Sequence, residues 1–315
     1  MGNSIESSKI CSHDFDEIRN IFQDLFNQYD IPYPASGSVP LDSSYFSDCC
    51  AYALSKGYTI TRSSQIFRSI HVGSVMGQIA YGHLPDRASQ IYMAMFTGVL
   101  VVIDTLAQFD VERVRPFYGC FINGHTQPDP ELELVAQTLR DATKLYPPVQ
   151  AAMIVNSALT FINGSVIETE LRNLKLSSDA PEYPYFVRAL TGIAEAYSII
   201  VFPAAVPLEI YIQALPALGI WINATNDVLS FYKEELEGEN NNYVSRVAHS
   251  RGISKINALR SIAEEAISAD RRVHKILGAD KQMGEIYAKF REGYTLFHVA
   301  SSRYRLHDLS LWEHT

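Results

Sequence analysis

The stretch from Ile91 to Ile103 is apolar on almost every side, and it constrains the fold of this chain more than any other segment. A helix of this composition must be surrounded by other elements. Its β-branched end could instead form a strand, but no second run of this kind exists to pair with it. We therefore predict a central buried helix whose apolar run ends at Asp104. The run is about 13 residues long, which is too short to span a bilayer.

Turn-forming residues divide the rest of the chain into stretches of about 15 to 30 residues, which is the length of helices. Pro216 suits the first turn of a helix from about Ala217 to Glu235. We predict an all-α fold with a single helical domain over residues 13–315, preceded by a disordered N-terminus of residues 1–12. The clearest apolar face with a spacing of three and four residues is formed by Ile253, Ile256, Leu259, Ile262, Ala266 and Ile267.

Composition excludes several classes of function. The 315 residues carry a net charge of −9, which argues against a nucleic-acid partner because such proteins need a basic face. The four cysteines (Cys11, Cys49, Cys50 and Cys120) lack zinc-like spacing and suggest a reducing compartment. The N-terminus has no apolar signal region. These features predict a cytoplasmic protein without stable membrane insertion.

One polar stripe points to chemistry. Asn226, Ser230 and Glu234 are spaced at i, i+4 and i+8, so on a helix they span about 80° of the surface and roughly 12 Å of its length. An amide oxygen, a hydroxyl and a carboxylate are hard oxygen donors, which are the ligands that Mg²⁺ takes in proteins. Lys233 adds an ammonium that favours phosphate. Each residue alone has an ordinary explanation, as the polar end of a helix that leaves the core.

The same segment resembles a known family. The pattern Asn226-Asp227-x-x-Ser230-x-x-x-Glu234 matches the metal-binding signature of class I terpene cyclases. The fuller wording Asn-Asp-x-x-Ser-Phe-Tyr-Lys-Glu is similar to the fungal trichodiene synthase group. The resemblance covers roughly residues 40 to 310.

Further positions agree with this resemblance, in the same order along the chain. Asp104 stands where the family has the first aspartate of its aspartate-rich motif, and Arg188 stands at the place of its diphosphate-sensing arginine. Arg303 and Tyr304 look like its Arg-Tyr pair, which hydrogen-bonds diphosphate. Adjacent residues point about 100° apart on a helix, so this pair would share a ligand only near a helix end.

The resemblance implies a helical bundle around a central cavity in which Mg²⁺, expected as three ions, and an isoprenyl diphosphate bind. The expected substrate is farnesyl diphosphate, and the expected reaction is its ionisation and cyclisation to a sesquiterpene. The implied metal ligands are Asp104, Asn226, Ser230 and Glu234. The implied diphosphate ligands are Arg188, Lys233, Arg303 and Tyr304.

A carbocation needs an apolar, aromatic cavity, for which the candidates are Phe96, Phe161, Trp221 and Phe297. A homodimer is also possible.

Two departures from the family pattern leave alternatives open. Gln108 stands one turn after Asp104, where a carboxylate is expected, and Asp110 points about 240° away. Asn240 replaces an aspartate that is expected to pair with the sensing arginine. The alternatives are a weakly active or inactive protein of this fold, or a cyclase for another isoprenyl diphosphate. A chain-elongating prenyltransferase should have two DDxxD motifs, which this sequence lacks.

Overall fold

The computed structural model describes residues 12–31 and 39–311, and within these residues it contains helices and no strand. The predicted all-α fold is confirmed. The predicted disordered N-terminus lies outside the described residues, apart from Ser12, where the first helix begins. The α-helices are α1 (Ser12–Tyr29), α2 (Ser43–Ser55), α3 (Gln65–Ile79), α4 (Arg87–Phe109), α5 (Val111–Val114), α6 (Phe117–Ile122), α7 (Pro130–Leu145), α8 (Pro148–Glu170), α9 (Tyr183–Thr191), α10 (Ala194–Ile200), α11 (Leu208–Tyr211), α12 (Leu215–Leu236), α13 (Tyr243–Arg251), α14 (Lys255–Leu277) and α15 (Lys281–Ala300). Short 3-10 segments span Ile212–Ala214, Ser302–Tyr304 and Leu306–Leu309.

Helix α4 is the predicted central helix, and it packs against α2, α3, α5, α7 and α8. The Asp86 carboxylate caps its first turn by accepting from Ser89 N at 2.8 Å. The approach of α3 is very close, because a Cβ at Gly73 would lie 2.0 Å from the Ala94 carbonyl oxygen. The helix does not end with its apolar run but continues past Asp104 to Phe109. Asp104 is therefore presented from within a helix.

Helix α12 carries the polar stripe and packs mainly against α14 and α10. It is slightly longer than the predicted range, and Pro216 does lie in its first turn. The predicted apolar face of α14 is largely buried, but Ile253 precedes that helix and is exposed. The Ser254 hydroxyl caps α14 by accepting from Asn257 N, so the helix begins just after Ile253.

Among the described residues, α4 and α8 are long and apolar enough to cross a membrane by length and composition alone. Burial within the protein covers 72% of the apolar window in α4 and 50% in α8. Helices that form the core of a globular protein have this character too. The apolar run that we predicted as too short to span a bilayer is thus part of a 23-residue helix.

Candidate active site

A cavity of about 720 Å³ opens where α4, α8, α9 and α12 converge with the segment between α12 and α13 and with the turn after α15. It brings together residues that are more than a hundred positions apart in the sequence. Its lining includes six of the predicted polar site residues, namely Asp104, Arg188, Asn226, Lys233, Glu234 and Arg303. The other two, Ser230 and Tyr304, are buried at 4% and 7% exposure.

The polar stripe lies on one face of α12, as its spacing predicts. Asn226 and Glu234 line the cavity, and the Ser230 hydroxyl between them donates a hydrogen bond to Glu234. Burial raises the pKa of Glu234 to about 7, and the neighbouring Glu239 carboxylate adds to this rise. The hydrogen bond from Ser230 and the charge of Lys233 act in the opposite direction. The surroundings of the Glu234 carboxylate thus favour its protonation or the binding of a cation to it.

Asp104 reaches the same cavity from α4. Its side chain is accessible from the cavity, but protein atoms surround it closely enough that lost hydration raises its pKa. The nearby Arg303 charge opposes this rise, Glu168 on α8 reinforces it, and Lys233 opposes it. These charges come from separate parts of the chain, so the fold concentrates both signs around one space.

Arg188 on α9 is held in an ion pair with Asp227, with 2.8 Å between Nε and the carboxylate Oδ2. Its Nη2 also donates to Asn226 Oδ1 at 3.4 Å. Burial raises the pKa of Asp227, although Arg188 favours its charged form. Burial disfavours the Arg188 charge, but Asp227 outweighs this effect and the pKa of the guanidinium is raised. Asn240 takes no part in this pair, because its Oδ1 accepts from Lys255 at 3.0 Å.

The adjacent residues Arg303 and Tyr304 lie just beyond α15, in the 3-10 segment Ser302–Tyr304. Arg303 lines the cavity, whereas Tyr304 is packed beside it. Burial raises the pKa of Tyr304, and a hydrogen bond with Asn226 partly counteracts this rise. Only Arg303 of this pair therefore reaches the described cavity lining, and a shared diphosphate ligand stays a prediction.

The four aromatic candidates do not share one environment. Only Phe161 belongs to the described lining of this cavity, which is otherwise mainly charged and polar. Phe96 is fully buried against Tyr197, with ring centroids 6.1 Å apart. Phe297 packs edge-on against Tyr304 at 6.0 Å. Trp221 is also fully buried, in a cluster with Tyr29, Tyr287, Phe290 and Tyr294. Phe96, Trp221 and Phe297 thus pack among other aromatic rings, and their role in lining a carbocation cavity stays a prediction.

Several cavity residues had no sequence signal. Glu168 on α8 forms an ion pair with Arg246 on α13 across the cavity. Glu239 follows α12 and adds a second carboxylate near Glu234. No spacing along the sequence relates Glu168 to α12 or α13, so its place in the cavity is visible in the folded structure alone.

His298 on α15 is a further buried residue that the sequence did not point to. Its Nε2 lies 3.2 Å from Asn226 Nδ2, and its Nδ1 lies 2.8 Å from the Tyr294 carbonyl oxygen. Burial lowers the pKa of His298 to about 4, and the bond to the carbonyl only partly opposes this. The ring is therefore neutral near pH 7 and touches a candidate metal ligand.

The donor set at this cavity suits magnesium. Asp104 and Glu234 offer carboxylates, Asn226 an amide oxygen and Ser230 a hydroxyl, all of which are hard oxygen donors. Within residues 12–31 and 39–311, no group of three His, Cys, Asp or Glu residues could hold a metal by itself. The candidate site is therefore mixed, with room for water and phosphate oxygens.

Comparison with known proteins identifies the family of this chain. The profile of the trichodiene synthase (TRI5) family matches residues 61–314. Alpha-cuprenene synthase COP6 of Coprinopsis cinerea is 35% identical over 295 residues, which cover 93% of this chain and 90% of that protein. Monoterpene synthase 25 of Postia placenta is 32% identical over 233 residues, covering 73% of this chain and 70% of that protein.

A solved structure shares the fold. Linalool/nerolidol synthase from Streptomyces clavuligerus superposes with a TM-score of 0.61 at 13% identity, and the match covers 88% of this chain and 98% of that one. At this identity the likeness concerns the fold alone. The family profile covers most of the chain. This chain therefore belongs to the trichodiene synthase (TRI5) family, and it is a terpene synthase.

Proposed function

We propose that this protein is a magnesium-dependent sesquiterpene synthase that ionises and cyclises farnesyl diphosphate and releases diphosphate. One observation carries the proposal: the stripe on α12 opens onto the same cavity as Asp104 from α4 and Arg303 from beyond α15. Oxygen donors and cationic side chains around one space suit a metal-bound diphosphate.

The proposed metal ligands are Asp104, Asn226, Ser230 and Glu234. Bound Mg²⁺ would supply Lewis acidity, neutralising the negative charge that develops on the leaving diphosphate. The raised pKa values of Asp104 and Glu234 fit this role, because a site that crowds and dehydrates carboxylates gains most from a bound cation.

The proposed diphosphate ligands are Arg188, Lys233, Arg303 and Tyr304. In the first step the allylic carbon–oxygen bond breaks, and diphosphate leaves with the bonding electron pair. Donors already directed at the departing oxygens stabilise that charge without costly reorganisation. Arg188 would contact diphosphate by sharing or leaving its pair with Asp227, so ligand binding and that ion pair are coupled.

The allylic cation that remains must be shielded from water until an internal double bond attacks it. Aromatic faces stabilise such a cation without reacting with it. Phe161 lies in the cavity lining, and Phe297 packs edge-on against Tyr304 with ring centroids 6.0 Å apart. The reaction ends when the last cation loses a proton or captures water.

The names of the relatives bear on the length of the substrate. The relative that aligns with 93% of this chain is named for cuprenene. Cuprenene is a sesquiterpene, and farnesyl diphosphate is the sesquiterpene precursor. A second candidate is a monoterpene synthase that acts on geranyl diphosphate, because another relative is named as one.

The test is incubation of the purified protein with Mg²⁺ and geranyl, farnesyl or geranylgeranyl diphosphate, followed by gas chromatography of the volatile products. We expect a cyclic sesquiterpene from farnesyl diphosphate and no product in the presence of a chelator. A clear preference for geranyl diphosphate would support the second candidate. If none of the three substrates gave product, the proposal would be wrong.

A further inference from the structure

His298 occupies a place that none of the family signature residues describes. It lies near the end of α15, is fully buried, and is enclosed by aromatic rings. The ring centroids of Tyr294, Phe297 and Tyr304 lie 4.7, 5.3 and 4.5 Å from its own. The imidazole is therefore fixed in position, and its two nitrogens have one partner each: the Tyr294 carbonyl oxygen and the Asn226 amide.

The first partner determines the tautomer. A carbonyl oxygen can only accept a hydrogen bond, so Nδ1 of His298 carries the proton that is donated to Tyr294 O over 2.8 Å. In the neutral ring Nε2 then presents a lone pair. That lone pair requires a donor, and the atom 3.2 Å away belongs to the Asn226 side-chain amide.

The tautomer in turn favours one orientation of the Asn226 amide, which also has hydrogen bonds with Tyr304 and Arg188. Its NH₂ group donates to Nε2 of His298, so its amide oxygen faces the other way. On that side Oδ1 accepts from Arg188 Nη2 at 3.4 Å, at the cavity wall. If the Asn226 amide were flipped, its oxygen would face the Nε2 lone pair of His298 and its NH₂ group would face the Arg188 guanidinium. Both contacts would then be repulsive.

We propose that His298 is a positioning residue that holds the Asn226 amide with its oxygen directed toward the metal site. Magnesium binds through oxygen and not through an amide nitrogen, so the orientation of this one amide decides whether Asn226 is a ligand. Partners of this kind, behind the ligands themselves, typically change metal affinity 10- to 100-fold when they are removed. This inference rests on the proposed role of Asn226 as a metal ligand.

The His298–Asn226 hydrogen bond could instead serve only to hold α15 against α12, but another contact already joins these helices. The Tyr294 hydroxyl donates to the Ile222 carbonyl oxygen at 3.2 Å and already connects α15 to α12. The His298–Asn226 hydrogen bond is thus not the sole hydrogen bond between these two described helices. Its specific consequence is the orientation of the amide.

The experiment compares His298→Leu with His298→Gln, because a glutamine can place an acceptor near the former Nε2. Binding of Mn²⁺ in the presence of inorganic diphosphate is followed by electron paramagnetic resonance, and the Mg²⁺ concentration for half-maximal turnover is measured separately. We expect His298→Leu to weaken Mn²⁺ binding about 10- to 100-fold and His298→Gln to recover most of that loss. His83→Leu is the matched control, since His83 is also largely enclosed and its hydrogen bonds are with backbone groups, Val201 O among them at 2.8 Å.

The variant that combines His298→Leu with Asn226→Ala provides the decisive comparison. If His298 acts through Asn226, His298→Leu should have no further effect on Mn²⁺ affinity in an Asn226→Ala background. An equal loss in both backgrounds, or no rescue by His298→Gln in a variant with native circular dichroism, would overturn the proposal. Failure of the proposed function is a separate result, because Mn²⁺ binding with inorganic diphosphate can be measured even if no isoprenyl diphosphate yields a product.

Discussion

Arg188 donates from Nε to Asp227 Oδ2 over 2.8 Å, so the candidate diphosphate-binding arginine is neutralised by the residue directly after Asn226. Both side chains are largely withdrawn from water, with 15% and 10% exposure. A ligand that draws Arg188 away leaves Asp227 as an unpaired buried carboxylate next to the proposed metal ligands. We therefore expect anion binding by Arg188 to favour cation binding beside Asp227.

The first prediction follows from this pair. Asp227→Asn should destabilise the ligand-free protein by about 3–5 kcal/mol, because it leaves the Arg188 charge buried and unpaired. Diphosphate with Mg²⁺ should restore much of the loss by giving Arg188 a new anionic partner. Urea unfolding with and without these ligands provides the measurement. An identical loss under both conditions would mean that Arg188 does not contact diphosphate.

The second prediction concerns the stripe on α12. Asn226→Ala, Ser230→Ala and Glu234→Ala should each reduce turnover by roughly 3 kcal/mol in transition-state stabilisation, or about 10²- to 10³-fold, while helical circular dichroism persists. Glu264→Ala, at an exposed position on α14, is the control for loss of a carboxylate. Near-normal turnover in all three stripe variants would refute the assignment of this face to the metal.

The third prediction separates two aspartates near the end of α4. Asp104→Asn should nearly abolish turnover, because Asp104 lines the cavity. Asp110→Asn should be mild, because Asp110 is exposed just beyond the helix and makes no capping hydrogen bond with its side chain. Steady-state turnover with farnesyl diphosphate measures both. Greater sensitivity at Asp110 would require the end of α4 to unwind during catalysis.

The fourth prediction is a pH dependence of stability. The pKa of Glu234 rises from an ordinary value near 4.5 to about 7 in the folded protein, so the folded state binds more protons than the unfolded state between these values. Stability without metal should therefore fall as pH rises from about 4.5 to about 7. Glu234→Gln removes this contribution, which is at most roughly 3 kcal/mol.

The measurement is urea unfolding of the metal-free protein at pH 5 and pH 8. Glu234→Gln should match the wild type at pH 5 and exceed its stability at pH 8. Glu264→Gln, whose carboxylate is exposed, should follow the wild type at both values. A variant that is less stable than the wild type at pH 8 would show that the Glu234 carboxylate already has a favourable partner there.

The fifth prediction concerns joint binding. Diphosphate and Mg²⁺ together should stabilise the protein, by about 2.7 kcal/mol at a hundredfold excess over Kd, whereas either alone should do much less. Hydrogen exchange should slow in the segment 238–242, because Asn241 and Asn242 line the cavity. Arg303→Gln should weaken the joint effect and shift products toward acyclic alcohols, since an imperfectly closed site admits water. Equal stabilisation by diphosphate without magnesium would indicate simple anion binding.

Features that depend on local geometry could be predicted from the order of the residues alone. An apolar run must be buried, so the central place of α4 followed from its composition. The fixed rotation per residue of a helix placed Asn226, Ser230 and Glu234 on one face before any fold was known. Helix ends are less well defined, because the last turns depend on caps and neighbours. This is why α4 continues beyond its apolar run to Phe109.

Contacts between distant side chains, and the orientation of those side chains, become known from the folded arrangement of the helices. The Glu168–Arg246 and Arg188–Asp227 pairs join separate helices, and no spacing along the chain encodes a distance through space. Burial of Trp221 away from the polar cavity depends on aromatic partners contributed by α1 and α15. The orientation of the Asn226 amide depends on His298, 72 residues later. A sequence shows which atoms could bind a metal, but the direction in which an amide points is set by packing and by hydrogen bonds between helices.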